Sequence, residues 1–435
     1  MVMFRTGAIT VGAVAILSGF TLALPEMRSV SYDRGAASEI PGNAQFKPSE
    51  TEGANDERPV IQHQALPQPV QAIYMTSCVV GTPSFRSKLV ELIEETEINS
   101  VIIDVKDYSG TLSFSPESDA WRPAWESAKC GTRDMKEFVA LLHDKGIFVI
   151  ARVAVFQDPF YTAKRPDLAV KKSDGVTVWK DHKGLSFIDV GAREYWDHIV
   201  DLSKEVYNLG FDELNFDYVR YPSDGPMKDI AFTHSKSYAG DDTMQANLEE
   251  FFKYLNSKLD DETLFGKYKH VGHGRDSATP WTSVDLFGMT TTNYDDLSIG
   301  QVQERAAPYF DFIAPMVYPS HYPKDAFGYG NPNQHPYEIV YYAMKTGVSR
   351  MVSSTTPLQG FAHTRVGTST PPVYQKPTYT GDKLRTWIQD FDYGGNYDVA
   401  EVKAQIKASR DAGVKSFMIW APSNIYTRGA LESTE

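Results

Sequence analysis

Five acidic side chains recur at comparable points along the chain. Asp104, Glu213, Asp217, Asp285 and one of Asp390 or Asp392 each lie within or at the end of a stretch that alternates apolar and polar residues. Alternation of that kind marks a β-strand with one apolar and one polar face. In FDELNFDYVR, residues 211–220, Leu214, Phe216 and Tyr218 share one face, and Glu213, Asn215 and Asp217 share the other. Carboxyl groups gathered at one rim can do acid–base work. Cleaving a glycosidic bond takes two of them, one protonated and one ionised, on opposite sides of the bond. Crowding drives their protonation states apart, because neighbouring carboxylates resist ionising together. Asp217, at the end of its strand, is the candidate nucleophile or base. Asp285 is the candidate proton donor, and Asp104 the group that holds or tunes them. Each has a plainer alternative. Asp217 could be an ion-pair partner of Arg220, Arg152 or Lys106. Asp285 could pair with Lys106, and Asp104 with Lys106 or Arg152. Glu213 lies deeper and suits a buried salt bridge.

Substrate contacts have candidates of their own. Arg152 interrupts the apolar run IFVIARVAVFQD, residues 147–158. Trp387 and Trp420 fall near the ends of the last two strands, with Asp390 beside the first of them; Tyr318 and His321 follow the sixth. Flat rings there either stack under sugar faces or seal the top of the fold. His321 either polarises a substrate hydroxyl or caps the loop PSHY. Other chemistries lack their motifs. His270 and His273 stand beside Asp276 on a glycine-bearing stretch, without HExxH or CxxC spacing, so no metal site is assigned. A metal-dependent deacetylase would need those histidines to meet the cleft aspartates. No GxSxG elbow, P-loop or dinucleotide fingerprint occurs, and no cofactor is expected.

These residues need a scaffold that points alternate side chains of several strands at one place. The helical pattern REYWDHIVDLSKEVYNLG, residues 193–210, feeds directly into 211–220 and ends on Gly210. Helix feeding strand implies a parallel sheet covered on both faces. The remaining strands read as 71–77, 100–110, 147–158, 281–288, 311–322 and 415–424, with 350–357 and 384–393 competing for the seventh place. The second is preferred, leaving 354–382 as a loop or insertion. Helices are expected over 84–98, 135–146, 242–261, 299–310, 336–347 and 398–414, and an inserted loop over 269–280. Eight units make a (β/α)8 barrel over residues 69–435, whose chemistry belongs at the C-terminal ends of the strands.

Composition narrows the partners. A formal net charge of −13 excludes a nucleic-acid binder, which needs a surplus of Lys and Arg. Hydrophobic content of 42% and charged content of 23% describe an ordinary globular chain. Residues 6–24 carry no charge and follow Arg5, which reads as a signal peptide or a single membrane anchor over 1–24 and places the rest outside the cytoplasm. Residues 25–68, rich in Ser, Glu, Pro, Gly and Asn, read as a flexible tether. Cys78 and Cys130 would both lie on the barrel rim, as a disulfide or as two buried thiols.

The strings VIIDVKDYSG (101–110), ARVAVFQDP (151–159), GFDELNFDYVRYPS (210–223), SVDLFG (283–288), IGQ (299–301), APMVYPSHY (314–322), NPNQHPYEIV (331–340) and TWIQDF (386–391) together resemble the putative glycosyl hydrolase domain family, long known only as a domain of unknown function. The resemblance runs in order through nearly all of residues 69–428. It implies a TIM barrel that hydrolyses a glycan; the rival reading is a non-catalytic glycan-binding barrel, which needs the ring platform but not two converging carboxyls. It carries no catalytic assignment, so Asp217 and Asp285 rest on strand geometry and on analogy with barrel glycosidases. Thr386 stands where the family usually has Pro before Trp, and the resemblance favours 384–393 as the seventh strand.

Overall fold

The computed structural model describes residues 57–238 and 242–434. The signal or anchor expected over 1–24, and most of the tether, lie outside the described residues. Eight parallel strands close a barrel in sequence order: β1 (Gln71–Met75), β2 (Ser100–Lys106), β3 (Phe148–Ala154), β4 (Glu213–Asp217), β5 (Trp281–Phe287), β6 (Phe312–Met316), β7 (Thr386–Gln389) and β8 (Phe417–Trp420). The main covering helices are α1 (Pro83–Glu94), α2 (Met135–Asp144), α3 (Arg193–Asn208), α4 (Thr243–Leu259), α5 (Pro336–Val352) and α6 (Val399–Ala412). Gly210, at φ 104°, turns the chain from α3 into β4, a conformation that side chains with a Cβ disfavour.

Alternation along each strand divides the core in two. Leu214, Phe216, Val284 and Leu286 pack outward into the layer between strands and helices. Ala72, Tyr74, Ile102, Phe148, Ile150, Ala314, Trp387 and Met418 fill the inside of the barrel. The inward face of β4 is polar at three levels. At the bottom, Glu213 accepts two bonds of 2.7 Å from Arg385 Nη1 and one of 2.6 Å from Ser283. Arg385 also lies 3.6 Å from the Phe312 ring. Glu213 therefore has the buried salt bridge expected of it. Asn215 occupies the middle level and Asp217 the top.

Two expectations change and one choice is settled. The helix expected over 299–310 shrinks to Gln303–Ala306. Gly300 needs φ 84° before it, and Pro308 cannot continue it afterwards. The stretch 350–357 is the end of α5 plus a short strand, Thr355–Thr356, which joins Thr364–Val366 and Val373–Gln375 in a small antiparallel sheet. The seventh barrel strand is thus the one within 384–393, and the insertion has structure of its own. Finally, the tether reading fails over 57–68. Val60–Gln62 pairs in parallel with Lys269–Val271, which lies in the expected loop over 269–280. Ile61 and His63 are buried there, and Leu66 packs against the inner core. These residues floor the N-terminal end of the barrel.

Cys78 and Cys130 form a disulfide between the loops after β1 and β2. Spanning 52 residues, it contributes about 4 kcal/mol on the chain-entropy account. Among the described residues, no helix is long and apolar enough to cross a membrane.

Candidate active site

Four charged residues meet at the C-terminal mouth, one from each of β2 to β5. The register sets Arg152 beside Asp104 on one side and Asn215 on the other. Its guanidinium donates to Asp104 Oδ1 at 2.5 Å and to Asp217 Oδ2. Its Nε lies 3.7 Å from Asp285 Oδ2. Burial works against a charge on Arg152, but Asp104 and Asp217 outweigh it and hold its pKa above the ordinary value. Tyr74 donates its hydroxyl hydrogen to the other oxygen of Asp104. Burial raises the Asp104 pKa against the pull of Arg152.

Asp285 and Asp217 differ in their surroundings. Asp285 Oδ1 accepts from Asn215 Nδ2 at 2.9 Å and from Trp387 Nε1 at 2.7 Å. Its Oδ2 has no hydrogen-bond partner among the described residues. Burial, and then the charge of Asp217, push the Asp285 pKa up to about 8. At neutral pH this group is a carboxylic acid. Asp217 instead takes a direct bond from Arg152 and another from the backbone N–H of Tyr218. Tyr218 has φ 52°, unusual for an aromatic residue, and turns the chain sharply at the end of β4. The Asp217 side chain is 8% exposed and that of Asp285 1%, so an entering molecule meets Asp217 first.

Both carboxyls line one cavity of about 260 Å³. Arg152 and Arg220 line it too, with Tyr318, His321, Trp387 and Trp420 among the ring residues. Tyr318 and Trp420 lie 5.1 Å apart, and Phe391 packs edge-on against Trp420 at 5.0 Å. His321 sits above them, its Nδ1 2.9 Å from Ser320 Oγ. Burial lowers its pKa, which keeps it neutral. Gly288 closes part of the wall. A Cβ there would meet Met316 O at 2.5 Å and the Tyr322 hydroxyl at 2.8 Å.

The structure brings together Asp104, Arg152, Asp217, Asp285, Tyr318, His321, Trp387 and Trp420. It leaves four other residues elsewhere. Asp390, taken from sequence as a substrate contact, does not line the cavity. Arg385 and Trp387 face inward on β7, and Asp390 follows the strand's end to accept from Thr427 N at 2.8 Å and Thr427 Oγ1 at 2.7 Å. Lys106 pairs with none of the mouth aspartates. A register shift between Asp104 and Lys106 breaks the alternation, and Lys106 reaches Asp158 at 3.0 Å. His270 and His273 are buried at the barrel floor, where His270 Nδ1 is 2.9 Å from His63 Nε2. No group of three or more His, Cys, Asp or Glu among the described residues could hold a metal ion. Trp387 is 2% exposed; it lines the cavity and its indole N–H holds Asp285 Oδ1 at 2.7 Å. Asn215 and Arg220 were underrated. The polar face of β4 places Asn215 between its two acidic neighbours, whereas Arg220 is expected from the sequence only as a partner of Asp217, a pair that Arg152 takes instead.

A parallel eight-stranded barrel with paired carboxyls at its mouth is the frame of an acid–base hydrolase. Residues 72–426 match the family model described as a putative glycosyl hydrolase domain, and the chain belongs to that family. The glycoside hydrolase domain of PgaB (BpsB) from Bordetella bronchiseptica shares the fold at 11% identity and a TM-score of 0.53, over 86% of this chain and 99% of that one. A hypothetical protein from Ruminiclostridium thermocellum is 28% identical over 46% of this chain and 96% of its own, with a TM-score of 0.39. The catalytic domain of a beta-amylase from Paenibacillus polymyxa is 10% identical, over 85% and 97%, at 0.47. No curated protein matches the chain.

Proposed function

We propose that this mouth hydrolyses O-glycosidic bonds, with Asp285 as proton donor and Asp217 as nucleophile or base. One observation carries the assignment. Two carboxyls face one cavity, one buried as a neutral acid with a pKa of about 8 and the other charge-paired to Arg152. A raised carboxyl and a second carboxyl paired with Arg152 on one cavity suit the two roles that cleavage of a glycosidic bond requires. Asp104 and Tyr74 hold the guanidinium that separates the two carboxyls. Trp387 and Asn215 fix the orientation of Asp285. Tyr318, His321 and Trp420 supply ring and polar surface for a sugar.

The substrate is then a polysaccharide or cell-envelope glycan, met outside the cytoplasm by an exported and tethered chain. The uncharged stretch 6–24 and the Cys78–Cys130 disulfide support that location. A phosphatase fusion at residue 57, active in an export assay only with residues 1–24 present, is the expected result. The activity test is a glycan panel with product anomers followed by NMR. Wild type should cleave at least one member, and Asp217→Asn and Asp285→Asn should not. Binding without cleavage by wild type would leave a carbohydrate-binding barrel instead.

A further inference from the structure

Arg220 stands apart from the other deeply buried arginines. Among the described residues, Arg220, Arg305, Arg350 and Arg385 are each at most 9% exposed. Arg305 faces Glu249 at 3.1 Å, Arg350 faces Glu304 at 2.7 Å, and Arg385 faces Glu213 at 2.7 Å. Arg220 has no carboxylate within ion-pair distance among the described residues. Its Nη1 donates to Tyr221 O at 3.0 Å and to Ser223 Oγ at 3.2 Å. No other bond is made by the fork among the described residues. Phe187, Tyr218 and Phe287 surround the guanidinium at 5.1–5.6 Å and fix its plane. Asp217, Asp181 and Asp224 act on it only at longer range, and burial disfavours its charge.

A buried guanidinium without a counter-ion is costly, and the other three buried arginines avoid that state. Arg220 differs from them in one further respect: it lines the cavity above Asp217 and Asp285. Arg152 cannot serve an incoming anion, because Asp104 and Asp217 already occupy its fork. We infer that Arg220 receives a carboxylate carried by the substrate, so that the cavity takes an acidic sugar, a uronic acid or its equivalent. The planar fork matches a carboxylate, and the aromatic collar holds it ready. The inference rests on the hydrolase reading of the same cavity and names its substrate class.

The test uses the full chain and matched pairs that differ only in charge. Oligomers of galacturonate, glucuronate and mannuronate are each compared with their methyl esters, by calorimetric binding and by turnover. In wild type, at least one acid should exceed its ester by about 10–100-fold, the value of a hydrogen-bonded charge. In Arg220→Met that ratio should fall towards one. Arg220→Lys keeps the charge but loses the fork, and serves if the methionine variant does not fold; its ratio should drop in the same direction. Equal handling of acid and ester by wild type, no binding of any pair, or a preference that survives both variants would overturn the inference. Cleavage of neutral glycans that ignores Arg220 would overturn it and leave the hydrolase standing. Arg220-dependent binding of an acid with no cleavage would keep the site and remove the hydrolase.

Discussion

The two ends of the barrel are both lined with buried charge, and they treat it in opposite ways. At the floor, Glu213 is matched by Arg385, and Asp212 accepts from Gln64 N at 2.8 Å, Val149 N at 2.7 Å and His143 at 3.1 Å. Burial opposes the charge on Asp212, yet His143, bonded to it, and His63, whose Nδ1 is 3.3 Å away, hold its pKa below the ordinary range. Residues 57–68 cover this end. At the mouth, three aspartates share Arg152, and among the described residues one carboxyl oxygen of Asp285 is left unbonded and Arg220 has no counter-ion. Charge matched by opposite charge holds a fold together, even though Arg385 Nε and Nη2 make no hydrogen bond among the described residues, whereas charge without a counter-ion beside a cavity is held in reserve for something that enters.

The comparison breaks most readily at the mouth. Asp217→Asn should lower turnover by about 10²–10⁴-fold, the range for losing a positioned acid–base group. Arg152 keeps Asp104 as a partner, so thermal melting should stay near wild type. A variant with undiminished turnover removes Asp217 from the mechanism. Asp285→Asn should fall as far; a loss of only a few-fold would make Asp285 a tuning residue. The floor should answer in the other currency. Glu213→Gln leaves Arg385 buried and unpaired, at a cost of about 3–5 kcal/mol in denaturant unfolding. Turnover per folded molecule should hold. If Glu213→Gln loses activity and keeps stability, the division between the two ends is wrong. Replacing both Cys78 and Cys130 by Ser should cost less, about 2–4 kcal/mol.

The same contrast explains what could be read from the chain before any coordinates. Strict alternation in 211–220 placed Glu213, Asn215 and Asp217 inward, and that face is polar at all three levels. The eight strands were legible because helix and strand periods differ and each unit has its own stop. Departures arose where the period fails. The irregularity in β2 removed Lys106, the end of β7 at Gln389 removed Asp390, and the positive φ of Tyr218 hid the direction of Arg220. The floor was missed for another reason. Residues 57–68 contain few large apolar side chains, and long-range contacts order them: the pairing of Val60–Gln62 with Lys269–Val271, the bond from Gln64 N to Asp212 and the packing of Leu66.

The smallest effect is the most diagnostic. Asp285 is raised from the ordinary carboxyl value of 3.8 to about 8. A group that must be protonated to act loses activity as pH rises through that value, so kcat/KM should carry an alkaline limb near pH 8. Stability shares the sign. Between pH 3.8 and about 8 the folded chain holds a proton that the unfolded chain has released, so stability falls as pH rises across this window. Trp387 gives a way to move the limb. Its indole N–H bonds Asp285 Oδ1 at 2.7 Å and favours the ionised form. Trp387→Phe deletes that donor and keeps most of the ring volume. The limb should move to higher pH, while turnover well below it changes by less than about tenfold. A limb that stays in place in Trp387→Phe and vanishes in no Asp285 variant would mean that another group supplies the proton.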